Sequence, residues 1–357
     1  MPAIRVLVAE DSLTIRKYLC EVLAAAADVI VVGEAEDGKR AIELCAELRP
    51  DVVTMDMMMP VMTGLAATEF IMAYCPTPIL IVSSSTNRGE IFKTYDALAA
   101  GAVDVLDKPL GDETNAAWEN KFIATVRLVS RIRTITHPRA RLAGFERKHL
   151  ESIPQAPIIG TNGKRVFHVV GIGASTGGPG AIAQILRALP ADFQLPILLV
   201  LHIGEPFGES FADWLDSQTS RPVSCAKDGT AVATLSGQVV LAPPNRHLLV
   251  QAGRIRLTQS PERHSVRPSV DVLFESLAAE YGSGVVTCLL TGMGRDGAAG
   301  TLAVHRAGGL TFAQDETSSV VYGMPREAVL LNAVDHVLPL IEIAPALTRL
   351  VAMDAGG

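Results

Sequence analysis

The stretch V-V-G-I-G-A-S-T-G-G-P-G, Val169–Gly180, places one serine among five glycines directly after an apolar, strand-like segment. An apolar strand that runs through a small-residue turn into a helix is typical of an α/β fold, in which such turns carry functional groups. Ser175 is therefore either a nucleophile exposed on a tight turn or part of a glycine loop that cradles the phosphates of a nucleotide.

The phosphate-loop alternative lacks most of its sequence signature. Gly171 and Gly173 fit the pattern G-x-G-x-x-G, but Thr176 occupies the place of the third glycine. The next strand ends in His202 instead of an acid for a ribose hydroxyl, and the chain has no G-K-[ST] sequence. These departures favour the nucleophile interpretation.

A serine nucleophile needs a base to take its proton and an acid to orient that base. The residues around Ser175, G-A-S-T-G, match the pattern G-x-S-x-G of a nucleophile turn between a strand and a helix. His202 directly follows a strand predicted at Pro196–Leu201 and would emerge at the same sheet edge. A histidine at that place is also compatible with a helix cap or a packed core group. His202 is the best candidate for the base.

The acid is predicted to be Asp296, in the glycine-rich loop L-T-G-M-G-R-D-G that follows a strand at Val285–Leu290. Asp271, in R-P-S-V-D-V-L-F, fits the start of a helix better. The order serine, histidine, acid along the chain is acceptable because a triad is defined by geometry and not by order. The histidines that lack a strand-end position are weaker candidates for the base: His168, His247, His264, His305 and His336.

The same alternation of strands and helices extends outward from this turn. It predicts a doubly wound, mainly parallel α/β hydrolytic domain with a small antiparallel excursion around residues 230–258. Its helices are predicted near Ala181–Leu189, Phe207–Gln218 and Ser269–Tyr281. Its further strands are predicted at Val166–Ile172, Gly237–Leu241, His247–Val250 and Ile255–Leu257.

The first 136 residues predict a second α/β domain with a five-stranded, doubly wound parallel sheet. Its fifth helix is predicted to run from about Glu113 to Ile135, with Asp112 as its N-cap and an apolar stripe at Phe122, Val126, Val129 and Ile132. We place this domain at residues 1–125, its last helix running to about 136, a linker at 137–165 and the hydrolytic domain at 166–350. The five strands are predicted at Ile4–Ala9, Val29–Glu34, Val52–Met55, Ile79–Val82 and Val103–Leu106.

Acidic residues follow two strands of this first domain. Glu10 and Asp11 come after the first strand and Asp56 after the third, while Lys108 follows the fifth and Ser83 ends the fourth. Because the carboxyl ends of parallel strands share one crevice, the three carboxylates should meet there and repel each other unless a divalent cation such as Mg²⁺ neutralises them. Any one of these acids, taken alone, is compatible with a solvated loop residue. The complete set in this order favours a phosphate switch.

The composition sets limits on the class of protein. The 357 residues are 48% hydrophobic and the net charge is −7, so the basic footprint of a nucleic-acid-binding protein is absent. No apolar run approaches the roughly 20 residues needed to span a bilayer, and the N-terminus does not resemble a signal peptide. The five cysteines are scattered and are typical of buried side chains in a reducing compartment. We predict a cytoplasmic protein that is not inserted in a membrane.

The motifs E-D-S-L-T-I-R-K, D-V-V-T-M-D-M-M-M-P, I-V-S-S-S and D-K-P resemble a bacterial response-regulator receiver domain, which is a flavodoxin-like fold. The resemblance implies an aspartyl phosphate on Asp56, with Ser83 and Lys108 contacting the phosphate. It also implies Mg²⁺ held by Glu10, Asp11, Asp56 and the carbonyl of Met58. One departure is Val105, which occupies a place where the family often has an aromatic residue.

The motifs G-A-S-T-G-G, L-T-G-M-G-R-D-G-A, R-P-S-V-D-V-L-F and Y-G-M-P-R-E-A, together with His202, resemble the chemotaxis protein-glutamate methylesterases. The resemblance implies that Ser175 is the nucleophile, His202 the general base and acid, and Asp296 the orienting acid. It implies an oxyanion hole that includes the backbone amides of Gly292 and Met293, and no cofactor for the esterase site. The residues that flank His202, L-H-I-G, depart from the Q-H-M-P of many members.

The implied function is hydrolysis of glutamate γ-methyl esters on chemoreceptors, with deamidation of receptor glutamines by the same chemistry. The phosphodonor would be a chemotaxis histidine kinase, and the unphosphorylated receiver is expected to cover the Ser175 cleft. An alternative is a phosphorylation-dependent binding regulator whose esterase site is vestigial or retargeted. A DNA-binding regulator is disfavoured because no basic helix-turn-helix follows the receiver.

Overall fold

The computed structural model describes residues 2–84, 88–109, 116–132, 166–204 and 207–354. The chain divides into two compact units, Met1–Lys148 and His149–Gly357. The predicted linker at residues 137–165 and the predicted helix cap at Asp112 lie outside the described residues, and the domain boundaries stay predictions. In the ranges that the structure describes, no helix is long and apolar enough to cross a membrane.

The N-terminal unit alternates strictly between strand and helix. Its elements are β1 Ile4–Ala9, α1 Leu13–Ala24, β2 Val29–Ala35, α2 Gly38–Leu48, β3 Val52–Met55, α3 Gly64–Tyr74, β4 Ile79–Ser83, α4 Arg88–Ala99, β5 Asp104–Asp107 and α5 Ala116–Val129. The five strands form a parallel sheet in the order β2-β1-β3-β4-β5. This confirms the predicted doubly wound sheet. The fifth helix ends at Val129 and not at Ile135, because Ser130 and Arg131 form a turn.

Burial explains the apolar patterns of this unit. Every residue of β3 and β4 is buried, as expected for central strands covered by helices on both faces. The predicted stripe of Phe122, Val126, Val129 and Ile132 is buried in full. Three helices begin at side-chain caps, where Ser12, Asp37 and Thr63 accept backbone amides.

The C-terminal unit also alternates between strand and helix, with one hairpin inserted. Its elements are β6 Val169–Ala174, α6 Gly178–Ala188, β7 Ile197–Leu201, α7 Phe207–Gln218, β8 Val223–Cys225, β9 Val239–Leu241, β10 His247–Gln251, β11 Arg254–Thr258, α8 Val270–Tyr281, β12 Val285–Leu289, α9 Ala298–Arg306, β13 Leu310–Gln314, α10 Met324–Leu330, β14 His336–Leu338 and α11 Leu340–Asp354.

Seven of these strands form a parallel sheet in the order β14-β13-β12-β6-β7-β9-β8, and β10 pairs with β11 in an antiparallel hairpin. The predicted α/β fold with a small antiparallel excursion is confirmed. The excursion is shorter than expected, however, because β9 pairs in parallel with both β7 and β8. The strand at Val239–Leu241 therefore belongs to the main sheet.

Strand β6 lies at the point where the strand order reverses. Strand β7 flanks it on one side and β12 on the other, so the chain builds the sheet in one direction after β6 and later in the other direction after β12. In open α/β sheets the crevice for a ligand forms at the carboxyl ends of the strands at such a reversal. The quoted glycine-rich stretch occupies this place.

Candidate active site

Strand register brings Ser175 and His202 to neighbouring positions. Ala174 pairs with Leu201 across β6 and β7, so Ser175 and His202 are the next residues on two adjacent parallel strands. The His202 amide donates to the Ala174 carbonyl over 3.0 Å. On the other side of β6, the Ser175 amide donates to the Thr291 carbonyl over 3.0 Å. The turn that carries Ser175 is thus held between β7 and the segment after β12.

Glycines make room for this turn. Gly177 has a φ of 78°, the left-handed region that favours glycine, and a Cβ there would lie 2.5 Å from the Cβ of Val320. A Cβ on Gly292 would lie 2.8 Å from the Cβ of Ser175 and 2.4 Å from the sulfur of Met324. Ser175 itself is half-buried, so its hydroxyl lies on a crowded but accessible turn.

His202 and Asp296 are in direct contact, as the sequence predicted. Nε2 of His202 lies 2.9 Å from Oδ2 of Asp296, and both side chains are largely buried. Because Asp296 occupies Nε2, the other ring nitrogen, Nδ1, is left to accept a proton from a nucleophile. The hydrogen bonds among the described residues include this pair but none from the Ser175 hydroxyl.

The Asp296 side chain, from the loop before α9, lies against the N-terminus of α8. Its two oxygens accept from the Ser269 hydroxyl over 2.7 Å, from the Val270 amide over 2.6 Å and from the Asp271 amide over 3.2 Å. Burial acts to raise the pKa of Asp296, but the hydrogen bond and charge of His202, followed by the bonds from Ser269 and Val270, hold this pKa below its ordinary value. The carboxylate therefore stays ionised and can stabilise a protonated His202.

The predicted oxyanion hole needs a correction. The Gly292 amide donates to the Val321 carbonyl over 3.0 Å, so it is not free to bind an oxyanion. The reason is an isolated parallel bridge between Gly292 and Tyr322, which draws the loop after β12 onto the loop before α10. The Met293 amide forms no hydrogen bond to a described residue, so it stays a candidate donor.

The other candidate side chains have structural partners. His247 is buried, accepts the Ser269 amide at Nδ1 over 3.1 Å and contacts the Pro261 carbonyl through Nε2. His305 pairs with Asp335. Asp271 is the second residue of α8, as predicted, and accepts the Gly300 amide over 2.6 Å. His168 precedes β6, and His336 begins β14.

An open cavity of about 540 Å³ adjoins His202 and Asp296. His202 and Asp296 contribute to its wall, and Glu327 of α10 lines the same space. His264, a weaker candidate from the sequence, contacts Asp271, and Ser269, which the sequence motifs did not single out, contacts Asp296. The S-V-D sequence at Ser269 is a helix N-cap signal, which is the pattern that points to this residue. The further residues of the wall are His264, Ser265, Val266, Met293, Gly294 and Arg295.

The N-terminal unit gathers its acids as predicted. Oxygens of Glu10, Asp11 and Asp56 lie within 4.8 Å of one another at the carboxyl ends of β1 and β3. The Lys108 ammonium lies 2.8 Å from Glu10 Oε2 and 3.0 Å from Asp56 Oδ1. The Met57 amide donates to Asp56 over 2.7 Å, and Met58 is exposed beside it. The Lys108 amide donates to the carbonyl of buried Ser83, which brings these residues together.

The positive charge of Lys108 does not fully offset the burial of the carboxylates in this cluster. Burial, followed by the charge of Asp56, raises the pKa of Glu10 to about 7 although Lys108 opposes the shift. Burial also raises the pKa of Asp56. Burial acts to lower the pKa of Lys108, but the charges of Asp56 and Glu10 raise it. A second cation would relieve both acids, and an all-oxygen donor set fits a hard divalent ion such as Mg²⁺.

The N-terminal unit has the parallel sheet and acidic cluster of a receiver domain, and the C-terminal unit is an α/β unit with a serine, a histidine and an aspartate at its sheet edge, which together define the class of response regulators with a hydrolytic unit. Residues 6–116 match the response regulator receiver domain family, and residues 170–347 match the CheB methylesterase family. The chain belongs to the CheB methylesterase family.

Individual relatives agree over nearly the whole chain. A protein-glutamate methylesterase/protein-glutamine glutaminase of Nitrosospira multiformis is 42% identical over 98% of this chain and 97% of its own length. A relative of the same name from Myxococcus xanthus is 42% identical over 97% of this chain and 96% of its own. The crystal structure of the Thermotoga maritima CheB methylesterase catalytic domain is similar, with 37% identity, a TM-score of 0.49 and coverage of 52% of this chain and 98% of that one.

Proposed function

We propose that this protein hydrolyses γ-methyl esters of glutamate on chemoreceptors, releasing methanol, and that phosphorylation raises this activity. The observation that carries the proposal is the His202–Asp296 pair, 2.9 Å apart, at the strand end next to Ser175. The near full-length similarity to methylesterases supports the substrate class. We also propose that the protein works in the cytoplasm and binds no nucleic acid.

The residues divide the chemistry as follows. Ser175 attacks the ester carbonyl while Nδ1 of His202 takes its proton, and the ionised Asp296 stabilises the resulting imidazolium. His202 then returns the proton to the departing methanol, and water releases the acyl group by the reverse sequence. Positioned base catalysis contributes about 10²–10⁴-fold to the rate, and one oxyanion donor such as the Met293 amide about 10²–10³-fold more.

Deamidation uses the same residues. A glutamine side chain has an amide in place of the ester, so attack by Ser175 forms the same acyl group and His202 protonates departing ammonia instead of methanol. Water then yields glutamate in both cases. We propose that the protein is therefore also a protein-glutamine glutaminase.

The N-terminal unit is proposed to accept a phosphoryl group from a histidine kinase at Asp56. Glu10, Asp11, Asp56 and the Met58 carbonyl would hold Mg²⁺, and the bound ion would supply positive charge to offset that of the phosphoryl oxygens. Lys108 supplies a fixed positive charge 3.0 Å from Asp56. The Ser83 hydroxyl, at the end of β4, would contact the phosphate.

The test is methanol release from methylated receptor membranes. Wild-type protein is compared with Ser175→Ala, and each is assayed with and without a small phosphodonor and Mg²⁺. We expect Ser175→Ala to lose turnover by on the order of 10⁴-fold or more while its circular dichroism is unchanged. Wild-type release should rise with the phosphodonor, and an Asp56→Asn variant should not respond.

Two outcomes would contradict the proposal. Methanol release that survives Ser175→Ala would exclude this serine as the nucleophile. Receptor binding that responds to the phosphodonor without any methanol release would favour the alternative, a binding regulator with a vestigial or retargeted esterase site.

A further inference from the structure

A strained turn borders the catalytic cavity. Arg263 and Val266 exchange two backbone hydrogen bonds, of 3.2 and 3.1 Å, which close a four-residue turn. Its central residues, His264 and Ser265, have φ values of 53° and 61°. Turns of this kind favour asparagine and glycine at both places, and backbone strain of this type clusters at functional sites. The strained backbone at His264 therefore indicates that its side chain has a function.

Both nitrogens of the His264 ring are engaged. Nε2 lies 3.1 Å from Oδ2 of fully buried Asp271, and Nδ1 accepts the Nε proton of Arg295 over 3.2 Å. A guanidinium can only donate, so Nδ1 must be the acceptor and Nε2 must carry the ring proton to Asp271. His264 thus connects a buried carboxylate to an exposed arginine.

This contact leaves the far end of Arg295 available. Its Nε is used by His264, whereas its two terminal nitrogens bond no residue that the structure describes. Arg295 is exposed, lines the cavity and immediately precedes Asp296. Two parallel N–H groups on a planar guanidinium match the two oxygens of a carboxylate.

The acids that the structure describes near Arg295 do not pair with it. Glu275 binds Arg263 of the same turn instead, in two contacts of 2.5 and 2.7 Å. Asp296 is 3% exposed and is saturated by the donors described above. Glu327 lines the same cavity but forms no ion pair with Arg295 among the described contacts. Among the described residues of the cavity wall, Arg295 carries the permanent positive charge.

We propose that Arg295 determines specificity by binding an acidic side chain on the substrate segment, beside the reacting glutamate ester. His264 is a positioning residue that holds the guanidinium at the cavity mouth. This inference rests on the proposed esterase function and adds the kind of substrate that it favours. His264 takes no part in proton transfer in this proposal.

The test uses two synthetic helical peptides that carry one glutamate γ-methyl ester each. One peptide has glutamates a helical turn away on both sides of the ester, and the other has glutamines there. Wild-type full-length protein should favour the acidic peptide by about five- to tenfold in kcat/KM, as expected for a hydrogen-bonded charge pair at a partly exposed site. Arg295→Gln should abolish this preference by raising KM for the acidic peptide alone.

Further variants separate the two roles. Arg295→Lys should recover only part of the preference, because it keeps the charge and loses the planar fork. His264→Asn removes the ring while asparagine tolerates the left-handed φ, and it should reduce the preference. The double variant His264→Asn with Arg295→Gln should match Arg295→Gln alone. Arg306→Gln, an exposed arginine on α9 outside the cavity, is the matched control and should keep the wild-type preference.

A binding measurement keeps this inference separate from turnover. Fluorescence anisotropy of the labelled peptides, with Ser175→Ala and with Ser175→Ala plus Arg295→Gln, reports recognition without chemistry. Equal binding of both peptides by Ser175→Ala, or an equal loss of both through Arg295→Gln, would overturn the specificity role. Absence of methanol release with selective, Arg295-dependent binding would instead count against the esterase and leave the recognition site standing.

Discussion

Asp296 joins more elements of the proposed active site than its position in a loop would suggest. One carboxylate binds His202 and the first turn of α8 at the same time. It joins the strand β7, the loop after β12 and a helix that precedes β12 in the chain. The strand-end reasoning placed Ser175, His202 and Asp296 at one edge of the sheet, but nothing local to Asp296 indicated that a helix N-terminus would hold it.

Asp296→Asn should impair catalysis far more than folding. An asparagine has one acceptor oxygen and an NH₂ group, so it cannot accept from His202 and all three α8 donors together. We expect kcat for methanol release to fall on the order of 10³–10⁴-fold because the imidazole loses its orientation. The loss of stability should be about 1–3 kcal/mol. Asp228→Asn, at an exposed acid that also accepts one backbone amide, is the control and should change neither quantity much.

The low pKa of Asp296 also predicts the sign of a pH effect. A carboxyl whose folded pKa lies below its unfolded value stabilises the fold above the unfolded pKa, and this stability is lost as pH falls through the folded pKa. The contribution of Asp296 is therefore complete at neutral pH and disappears on acidification. Asp296→Asn should have a shallower acid limb in thermal melts, and an unchanged limb would contradict the pKa direction.

Val61 is a strained residue in the N-terminal unit. It has a φ of 63° and is 83% exposed, so a β-branched side chain occupies a left-handed position without burial in return. Val61→Asn should stabilise this unit by about 1 kcal/mol, since asparagine tolerates this conformation better. Urea unfolding in a Trp214→Phe background, where Trp118 is the single tryptophan, measures the change. A lower free energy of unfolding in Val61→Asn than in the wild type would exclude the strain argument.

At the scale of elements, the register between strands positions the chemistry. Ala174 opposite Leu201 makes Ser175 and His202 neighbours, and a shift of one residue would turn one side chain to the other face of the sheet. The parallel pairing of β9 with β7 extends the same sheet beyond His202. Sequence patterns located β9 correctly but included it in the antiparallel excursion around residues 230–258, because a short apolar run does not reveal its partner.

Arg221 stabilises the loop between α6 and β7. It is 4% exposed, and its two terminal nitrogens donate to the carbonyls of Phe193 over 3.1 Å and Pro190 over 2.6 Å. Burial lowers the pKa of Arg221, yet its guanidinium remains charged and replaces water for both carbonyls. This contact fixes the loop that leads into β7 and hence into His202.

Arg221→Met should therefore destabilise the C-terminal unit by about 2–3 kcal/mol, because two buried carbonyls lose a charged donor. Urea unfolding in a Trp118→Phe background, followed by the fluorescence of buried Trp214, measures this loss. The control is Arg254→Met, where an exposed arginine also donates to a carbonyl, that of Gly229. Its effect should stay below about 1 kcal/mol. Equal effects of the two substitutions would contradict the role of burial.

At the scale of the whole molecule, each compact unit holds one of the two tryptophans, so each can be followed separately. Trp118 donates to the Asp107 carbonyl over 2.7 Å, one residue before Lys108, and so reports on the acidic cluster. A Trp214→Phe variant makes the fluorescence specific for the N-terminal unit.

In this variant and without divalent ions, the stability of the N-terminal unit should fall as pH rises from about 4.5 to about 7. The reason is that the pKa of Glu10 rises from 4.5 to about 7 on folding, so the folded state holds a proton that the unfolded state has released. Burial of Asp56 raises its pKa and acts in the same direction. Mg²⁺ should stabilise the unit most above this window, where both acids are ionised.

Glu10→Gln is the matched control for this titration. It keeps the shape of the side chain and removes its ionisation, so the fall in stability across the window should become smaller. The argument from burial would be contradicted if the stability of the N-terminal unit rose between pH 4.5 and about 7 in the Trp214→Phe variant with Glu10 intact. It would also be contradicted if Glu10→Gln left the pH dependence of stability unchanged.

Features that neighbours along the chain control could be predicted from the amino-acid sequence. Apolar runs and their spacing predicted two α/β units, and residues at strand ends predicted the cluster of Glu10, Asp11 and Asp56 and the triad candidates. The structure places these residues together because parallel strands bring their carboxyl ends to one edge whatever the exact packing, and their functional roles stay predictions.

The contacts between individual atoms, in contrast, depend on the three-dimensional packing. It committed the Gly292 amide to Val321, placed Asp296 on the N-terminus of α8 and joined His264 to Arg295. Each of these contacts joins segments that are far apart in the chain or held by a strained turn. Their formation depends on the packing of whole elements, which local periodicity does not encode.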